Sequence, residues 1–315
     1  MGSREHGKLM FIFIVNPTAG EGRAKYIFSQ IQQMEQYRTL LEKKVYFTDY
    51  PTHAEIIVRE ILHEYNKKLK GLFIVGGDGT MHEVINGLDN VNNHIPISFI
   101  PSGSGNDFAK GINLKKHALK VDAFNQPIDY WFCVYKTNNC IRKMVNSLGF
   151  GFDAEITENA NSARSKKYFN SLGIGKMVYL ASLVKVLRTY KPKNMQVSID
   201  GITRKLNNCW MVSIGNHPYY GGGLKILPHA KNNRNKMYGI IIHTIPKWKV
   251  LLLFISVIFG WHRYFKEVEL FEADTVEVLS DKYICYQVDG QTDYTVNCKI
   301  KKDKNPISVI INKKQ

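Results

Sequence analysis

Short, wholly apolar runs that stop at glycine, asparagine or serine constrain this chain more than any other feature. Leu72-Phe73-Ile74-Val75 gives way directly to Gly76-Gly77-Asp78-Gly79-Thr80. Met10 to Val15 gives way to Asn16-Pro17-Thr18-Ala19-Gly20, and Ile97 to Ile100 to Pro101-Ser102-Gly103-Ser104-Gly105-Asn106-Asp107. The segments between carry a helical period. Ile27, Ile31, Met34 and Leu41 share one face of a helix predicted from about Arg23 to Lys43, and Ala54, Ile57, Val58, Ile61, Leu62 and Tyr65 mark a second. Val45 to Thr48 reads as a short strand and Met81 to Leu88 as a short helix. Strands apolar on both faces, alternating with helices, imply a parallel sheet covered on both sides. The three turn clusters then meet along one sheet edge, the place where open α/β folds bind nucleotides.

The pattern changes after about Ile128. Tyr130 to Tyr135, Ile141 to Asn146, Met195 to Ile199, Trp210 to Ile214, Gly239 to His243, Thr275 to Leu279, Tyr283 to Val288 and Ser308 to Ile311 are strand-like and separated by turn residues. They predict an antiparallel β-sandwich interrupted by two helical stretches, roughly Met177 to Tyr190 and Lys247 to Phe265. The expected architecture is a Rossmann-like parallel α/β domain over residues 1–127, followed by an antiparallel β-sandwich domain over 128–315. The last residues are expected to return to the first domain.

At 315 residues and 44% hydrophobic content, two domains with separate cores are affordable. The 43 basic against 27 acidic residues give a formal charge of +16, which favours anionic partners: a phospholipid surface, nucleic acid or a phosphate-bearing substrate. No nucleic-acid recognition motif accompanies the charge, so nucleic acid is not expected. The five cysteines are widely spaced with no C-x-x-C pair, which fits a reducing cytosol. The start of the chain lacks a secretory pattern. The longest apolar run, Val250 to Gly260, is about half the ~20 residues a membrane span needs.

Glycines at a strand end let a phosphate approach the backbone, and the next helical turn offers it amide N–H groups. Asp78, between two glycines, suits a ligand-facing position or a turn-capping one. Asp107 reads equally as a ligand-facing carboxylate or as a helix N-terminal residue favoured by the helix dipole. Two common phosphate motifs fail on spacing. Phe108 stands where a dinucleotide fingerprint needs its third glycine, and Gly175-Lys176 lacks the rest of a P-loop.

The three clusters, in this order, resemble the diacylglycerol kinase catalytic domain family, in particular soluble bacterial lipid kinases akin to diacylglycerol and sphingosine kinases. The resemblance continues through Thr48, Ile128-Asp129, Asn146 to Asp153 (NSLGFGFD), Asn216, Gly221 to Ala230 (GGGLKILPHA) and Val288-Asp289-Gly290, covering roughly residues 8 to 313. It implies transfer of the γ-phosphate of ATP to a lipid hydroxyl, with diacylglycerol as the first substrate guess. ATP contacts are implied for Asn16, Pro17, Thr18, Gly20, Thr48, Gly76, Gly77, Asp78, Gly79, Thr80, Ser104 and Asn106. Asp78, Asp107 and Asp129 are implied to approach one another around a magnesium ion (Mg2+), a hard cation that prefers oxygen. Catalytic roles are implied for Asp78, Asp289 and Gln291.

Two departures stand out. Gln291 occupies the position where the family usually has a glutamate, so the side chain suited to take the lipid proton is neutral here. Asp289 is the remaining base in that stretch, unless Asp289-Gly290 is simply a hairpin turn. After Pro228 and Ala230 the chain reads Lys231-Asn232-Asn233-Arg234-Asn235 where the family places an Asp-Gly pair, so an auxiliary metal site is expected to be missing. An alternative therefore stands beside the kinase: a non-catalytic or weakly active nucleotide- and lipid-binding regulator. Aromatic and basic residues flank the apolar run Val250 to Phe259, which reads either as a membrane-contacting helix or as one packed on the β domain. Arg164, Lys166 and Lys167 beside Tyr168-Phe169 offer a second basic-aromatic cluster. The expectation is a cytoplasmic protein, peripherally bound to the inner face of an anionic membrane, with edge strands able to pair in a homodimer.

Overall fold

The apolar runs near the start of the chain form the centre of one sheet. The computed structural model describes residues 10–311 apart from 41, 66–67, 89–93, 115–126 and 162–182. The chain divides into two units, one running up to Trp131 and resuming at Asn305, the other spanning Phe132–Lys304.

The first unit has a six-stranded sheet in the order β2-β1-β3-β4-β17-β5. Its strands are β1 (Met10–Val15), β2 (Glu42–Phe47), β3 (Leu69–Gly76), β4 (Ile97–Pro101), β5 (Pro127–Tyr130) and β17 (Ile307–Ile310). All pair in parallel except β5, which runs antiparallel to β17. Position follows composition. The wholly apolar β1 and β3 are interior strands, while the mixed Glu-Lys-Lys-Val-Tyr-Phe of β2 lies at the edge and is at most half-buried. Phe13 and Phe73 stack across β1 and β3 with ring centroids 4.6 Å apart. Burial of such a side chain contributes about 1.5–3 kcal/mol.

Among the described residues five helices accompany these strands: α1 (Arg23–Gln33), α2 (Glu35–Arg38), α3 (His53–Tyr65), α4 (Asp78–Gly87) and α5 (Asp107–Gly111). The single helix expected from Arg23 to Lys43 is broken at Met34, whose backbone is extended. The break lets Tyr37 pack edge-on against Phe13 and Phe28, which a continuous helix would carry away. The helix expected from Met81 begins three residues earlier, so Gly77 becomes its cap and Asp78 its first residue.

The second unit is built on a nine-stranded antiparallel sheet, ordered β14-β13-β10-β8-β15-β16-β6-β7, with β9 pairing both β10 and β15. Its strands are β6 (Cys133–Thr137), β7 (Ile141–Met144), β8 (Ser147–Gly151), β9 (Lys193–Ile199), β10 (Ile202–Gly215), β13 (Met237–His243), β14 (Val268–Ala273), β15 (Thr275–Val288) and β16 (Gln291–Lys302). The small hairpin of β11 (Tyr219–Tyr220) and β12 (Leu224–Lys225) stands apart. Two long strands do the folding. The first part of β10 pairs with β9 and its last part with β8 and β13, with a register shift between Cys209 and Met211. β15 behaves likewise, shifting between Leu279 and Ile284. Such irregularities bend a sheet, so its two halves enclose the core of Leu148, Phe150, Val197, Val212, Val276 and Tyr286. The two strands expected at Thr275 to Leu279 and Tyr283 to Val288 are thus one.

Two helices of this unit are α6 (Phe152–Asn161) and α7 (Lys247–Phe259), the latter followed by a 3-10 turn at Trp261–Tyr264. Of the helix expected from Met177 to Tyr190, residues 183–189 are helical and the earlier part lies outside the described residues, as does the cluster of Arg164, Lys166, Lys167, Tyr168 and Phe169.

β17 tests the first unit's architecture. It comes from the far end of the chain yet lies between β4 and β5, with Val309 fully buried. Val309→Asp would place an uncompensated carboxylate there, at a cost of about 3–5 kcal/mol. The melting transition of this unit should fall or vanish in calorimetry; an unchanged transition would mean that β17 is dispensable.

Candidate functional site

The first unit's strand order reverses between β1 and β3. Connections after β1 lead to one side of the sheet, and those after β3 to the other. The crevice beyond their carboxyl ends is the topological switch point. Asn16 leaves β1 there and Gly76-Gly77 leaves β3. The side-chain amide of Asn16 donates to the Thr80 hydroxyl at 3.0 Å, joining the two loops, and its carbonyl accepts from the Thr18 hydroxyl at 2.9 Å. Thr48, buried at the end of β2, donates its amide to Val15.

Two further contacts bring in the loop after β4. Arg23, the first residue of α1, donates to the carbonyls of Ser102, at 3.2 Å, and Gly103. The Asp78 carboxylate takes the amide of Asp107 on one oxygen and that of Phe108 on the other, both at 3.0 Å. The loops approach so closely that a Cβ on Gly103 would stand 2.7 Å from Gly77 Cα, and one on Gly77 would stand 3.2 Å from Gly103 Cα. No residue larger than glycine fits this crossing without backbone movement.

The edge suits an anion. No side chain caps α4 at Gly77, so its first amides face outward at the positive end of the helix. Nearby, Ser102 Oγ and Asn106 Oδ1 are enclosed and have no hydrogen-bond partner among the described residues, while Ser104 is exposed. These are groups that a nucleotide's phosphate, ribose or base can satisfy. Pro17, Gly20 and Gly79 lie in the same turns.

The expected carboxylate trio does not assemble. Asp129 pairs with Ser308, one residue before Val309 meets Ile97, so it lies level with the start of β4. Its neighbour Tyr130 packs against Phe108 of α5, with ring centroids 5.2 Å apart, while Asp129 itself is exposed and Asp107 is buried. Among the described residues no three His, Cys, Asp or Glu side chains form a cation site. The expected trio therefore does not fit a magnesium ion. Asp78 instead serves as a clamp on α5, and Asp107 pairs with Lys110 at 3.6 Å.

In the second unit, Asp289 is committed to the backbone. It is a left-handed turn residue between β15 and β16, and Val288 faces Gln291 across a two-residue hairpin. Its carboxylate accepts from the amides of Val145 and Asn146, each at 2.7 Å, and of Ser147 at 3.2 Å. A carboxylate engaged this way anchors the segment that leads into β8. Gln291 begins β16 and is exposed. The anchored loop has further supports. Asn216 donates to the carbonyls of Met144 and Val145 and receives the buried ammonium of Lys302 at 2.9 Å. Asn146 meets the buried His217 at 2.8 Å. Burial holds His217 down at about 4.

That loop leads through β8 into α6 and to a residue given no role in the sequence analysis. Asp153 has an enclosed carboxyl group although part of the residue reaches solvent. Ser213 donates to its Oδ2 at 2.7 Å, and Gln287 and the Ala154 amide lie close to it. Burial pushes its pKa up to about 7, further than these hydrogen bonds pull it down. Gly149 makes the packing feasible, since a Cβ there would fall 1.8 Å from Asp153 Oδ2. The run Gly149-Phe150-Gly151-Phe152-Asp153 carried the signal, but only the fold shows that the carboxyl turns inward over the first glycine.

Fold and edge together define a parallel α/β unit with a glycine-lined switch-point edge, carried on the same chain as an antiparallel β unit. Residues 10–128 match the diacylglycerol kinase catalytic domain, and residues 146–310 match the YegS C-terminal NAD kinase beta sandwich-like domain. A Bacillus subtilis (strain 168) protein named "Putative lipid kinase YtlR" is 32% identical over 307 residues, covering 95% of this chain and 98% of the relative. A Staphylococcus aureus (strain JH9) protein, "Putative lipid kinase SaurJH9_0749", is 34% identical over about half of each chain. The fold matches a Bacillus anthracis str. Sterne crystal structure titled as a putative diacylglycerol kinase, with TM-score 0.76 and 19% identity over 99% of this chain and 98% of that one. The chain belongs to the diacylglycerol kinase catalytic domain family, and these relatives bear lipid kinase names.

Asp153 gives a pH signature. The folded carboxyl keeps its proton up to about pH 7, whereas the unfolded one releases it near its ordinary 3.8. The folded state holds more protons across that window, so this residue's contribution falls as pH rises through it. Asp153→Asn removes the effect. Its stability relative to the parent should improve by roughly 2–3 kcal/mol between pH 5 and pH 8 in denaturant titrations. An equal difference at both pH values would show that the carboxyl titrates normally. Separately, Gly103→Ala should cost ~1–3 kcal/mol and weaken ATP binding in calorimetry, because the backbone at Gly77 must move; unaltered affinity would place the nucleotide elsewhere.

Proposed function

We propose that the chain transfers the γ-phosphoryl group of ATP to a lipid hydroxyl, with diacylglycerol, giving phosphatidic acid, as the first substrate to test. The observation carrying this reading is the switch-point edge, where an uncapped helix start, two mutually approaching glycines and enclosed unpartnered oxygens coincide on a lipid-kinase-family fold. Phosphoryl transfer depends mainly on positioning and charge stabilisation. The α4 amides, Thr80 and Ser104 would hold the phosphates, with Asn16 and Asn106 orienting the nucleotide. Asp78 acts as a positioning residue that fixes the loop after β4. No step is assigned to magnesium.

Gln291 has no basicity to offer, so the lipid hydroxyl's proton is assigned to Asp289, which three amides hold in a fixed orientation.

Transfer from labelled ATP to diacylglycerol in mixed micelles with magnesium tests the proposal. The parent chain should turn over, and Asp289→Asn should lower kcat by ~10²- to 10⁴-fold. Gln291→Glu should leave transfer intact. Silence from the parent and from Gln291→Glu, with ATP still bound, would favour the non-catalytic regulator, which the neutral Gln291 motivates.

A further inference from the structure

α7 has two apolar faces. Val250, Leu253 and Val257 are buried against Trp210, Ile240 and Ile242 of the second unit, and the Ser256 hydroxyl turns inward to the carbonyl of Leu253. Trp248, Leu251, Leu252, Ile255, Ile258 and Phe259 are exposed, Trp248 and Ile258 each by 68%. At ~100° per residue they form an outward stripe centred opposite the buried one. The reading of this segment as a helix packed on the β domain thus holds for one face, and the other face is exposed.

The stripe continues past the helix. Trp261 is 61% exposed and stacks on Phe259 with centroids 5.1 Å apart, and Tyr264 is 71% exposed. The only charges between Lys247 and Lys266 are basic: Lys247 and Lys249 at one end, Arg263 and Lys266 at the other. The nearest acid, Glu267, is buried and neutralised by Lys249 at 2.7 Å. Aliphatic residues thus fill the centre, with Trp and Tyr next and cations outermost. That is the order in which hydrocarbon, interface and anionic headgroups occur at a membrane surface.

We infer that the outward face of α7 and the following 3-10 turn dock on an anionic lipid bilayer, lying in its interface. At 13 residues, about 20 Å, the helix falls short of the ~30 Å hydrocarbon core and does not cross it. This identifies the surface by which a lipid kinase would meet a membrane-borne substrate, and in that respect it rests on the proposed function.

Co-sedimentation with vesicles of phosphatidylglycerol and phosphatidylcholine, compared with phosphatidylcholine alone, tests it. The parent chain should pellet with the anionic vesicles, less so at high salt. Leu252→Ser/Ile255→Ser/Ile258→Ser should weaken that binding at least tenfold, and Arg263→Glu/Lys266→Glu should remove the preference for anionic lipid. Brominated acyl chains should quench the parent's fluorescence but not that of Trp248→Phe/Trp261→Phe, an arm that stands even if the serine variant misfolds. Undiminished binding by the serine variant together with no quenching would overturn the inference. So would a lipid-free dimer, seen by light scattering and dissolved by the same serines, with no vesicle binding by the parent chain. Transfer to a monomeric short-chain diacylglycerol separates the two ideas. If docking holds and the parent shows no transfer, the catalytic reading fails alone; if transfer persists in the serine variant, catalysis stands apart from docking.

Discussion

The grip of Asp78 on the first two amides of α5 is the contact on which the glycine edge depends. α5 spans only Asp107–Gly111, too short to hold itself in place, and its cap position is a left-handed Asn106. A carboxylate reaching across from the start of α4 supplies both hydrogen-bond acceptors that those amides need. Charge-assisted bonds of this kind are roughly twice as strong as neutral ones. Through them the loop after β4 is pinned beside the loop after β3, and the close crossing of Gly77 with Gly103 follows. Arg23 and Asn16 then tie both to the loop after β1.

The second unit uses the same device. Asp289 gathers three amides at the entry to β8, as Asp78 gathers the first two of α5. In each case a turn carboxylate spends its lone pairs on another segment's backbone, which fixes that segment without bulky packing. Where a ligand has to come close to the chain, this is an economical arrangement. Asp153, enclosed and poised near neutrality, differs in kind because burial has shifted its titration while leaving one oxygen without a full hydrogen bond.

α7 shows how one element can serve the core and the surface together. A helix apolar on nearly every side would ordinarily be buried all round. Here the β unit covers one side only. The basic and aromatic residues at its ends give the uncovered side a direction and a chemistry, which a simple measure of hydrophobicity would miss.

Much of this was legible in the chain itself. Apolar strands ending in glycine clusters announce a parallel sheet with a binding edge, because only buried parallel strands dispense with polar alternation. The change of rhythm near Ile128 announces an antiparallel unit. Local chemistry does not disclose which way a side chain of a neighbouring strand faces, so the sequence groups Asp129 with Asp78 and Asp107, whereas in the fold Asp129 is exposed on β5 and Asp107 is buried. Nor does it disclose what a carboxylate faces. The anchoring of Asp289 depends on residues more than 140 positions away, and the inward turn of Asp153 on Ser213, 60 positions on. Sequence determined which segments become strands and where glycine must stand, since these follow from side-chain period and steric room. Only the tertiary structure decided which carboxylates clamp backbone and which one keeps its proton, since that depends on burial and on partners brought together by folding.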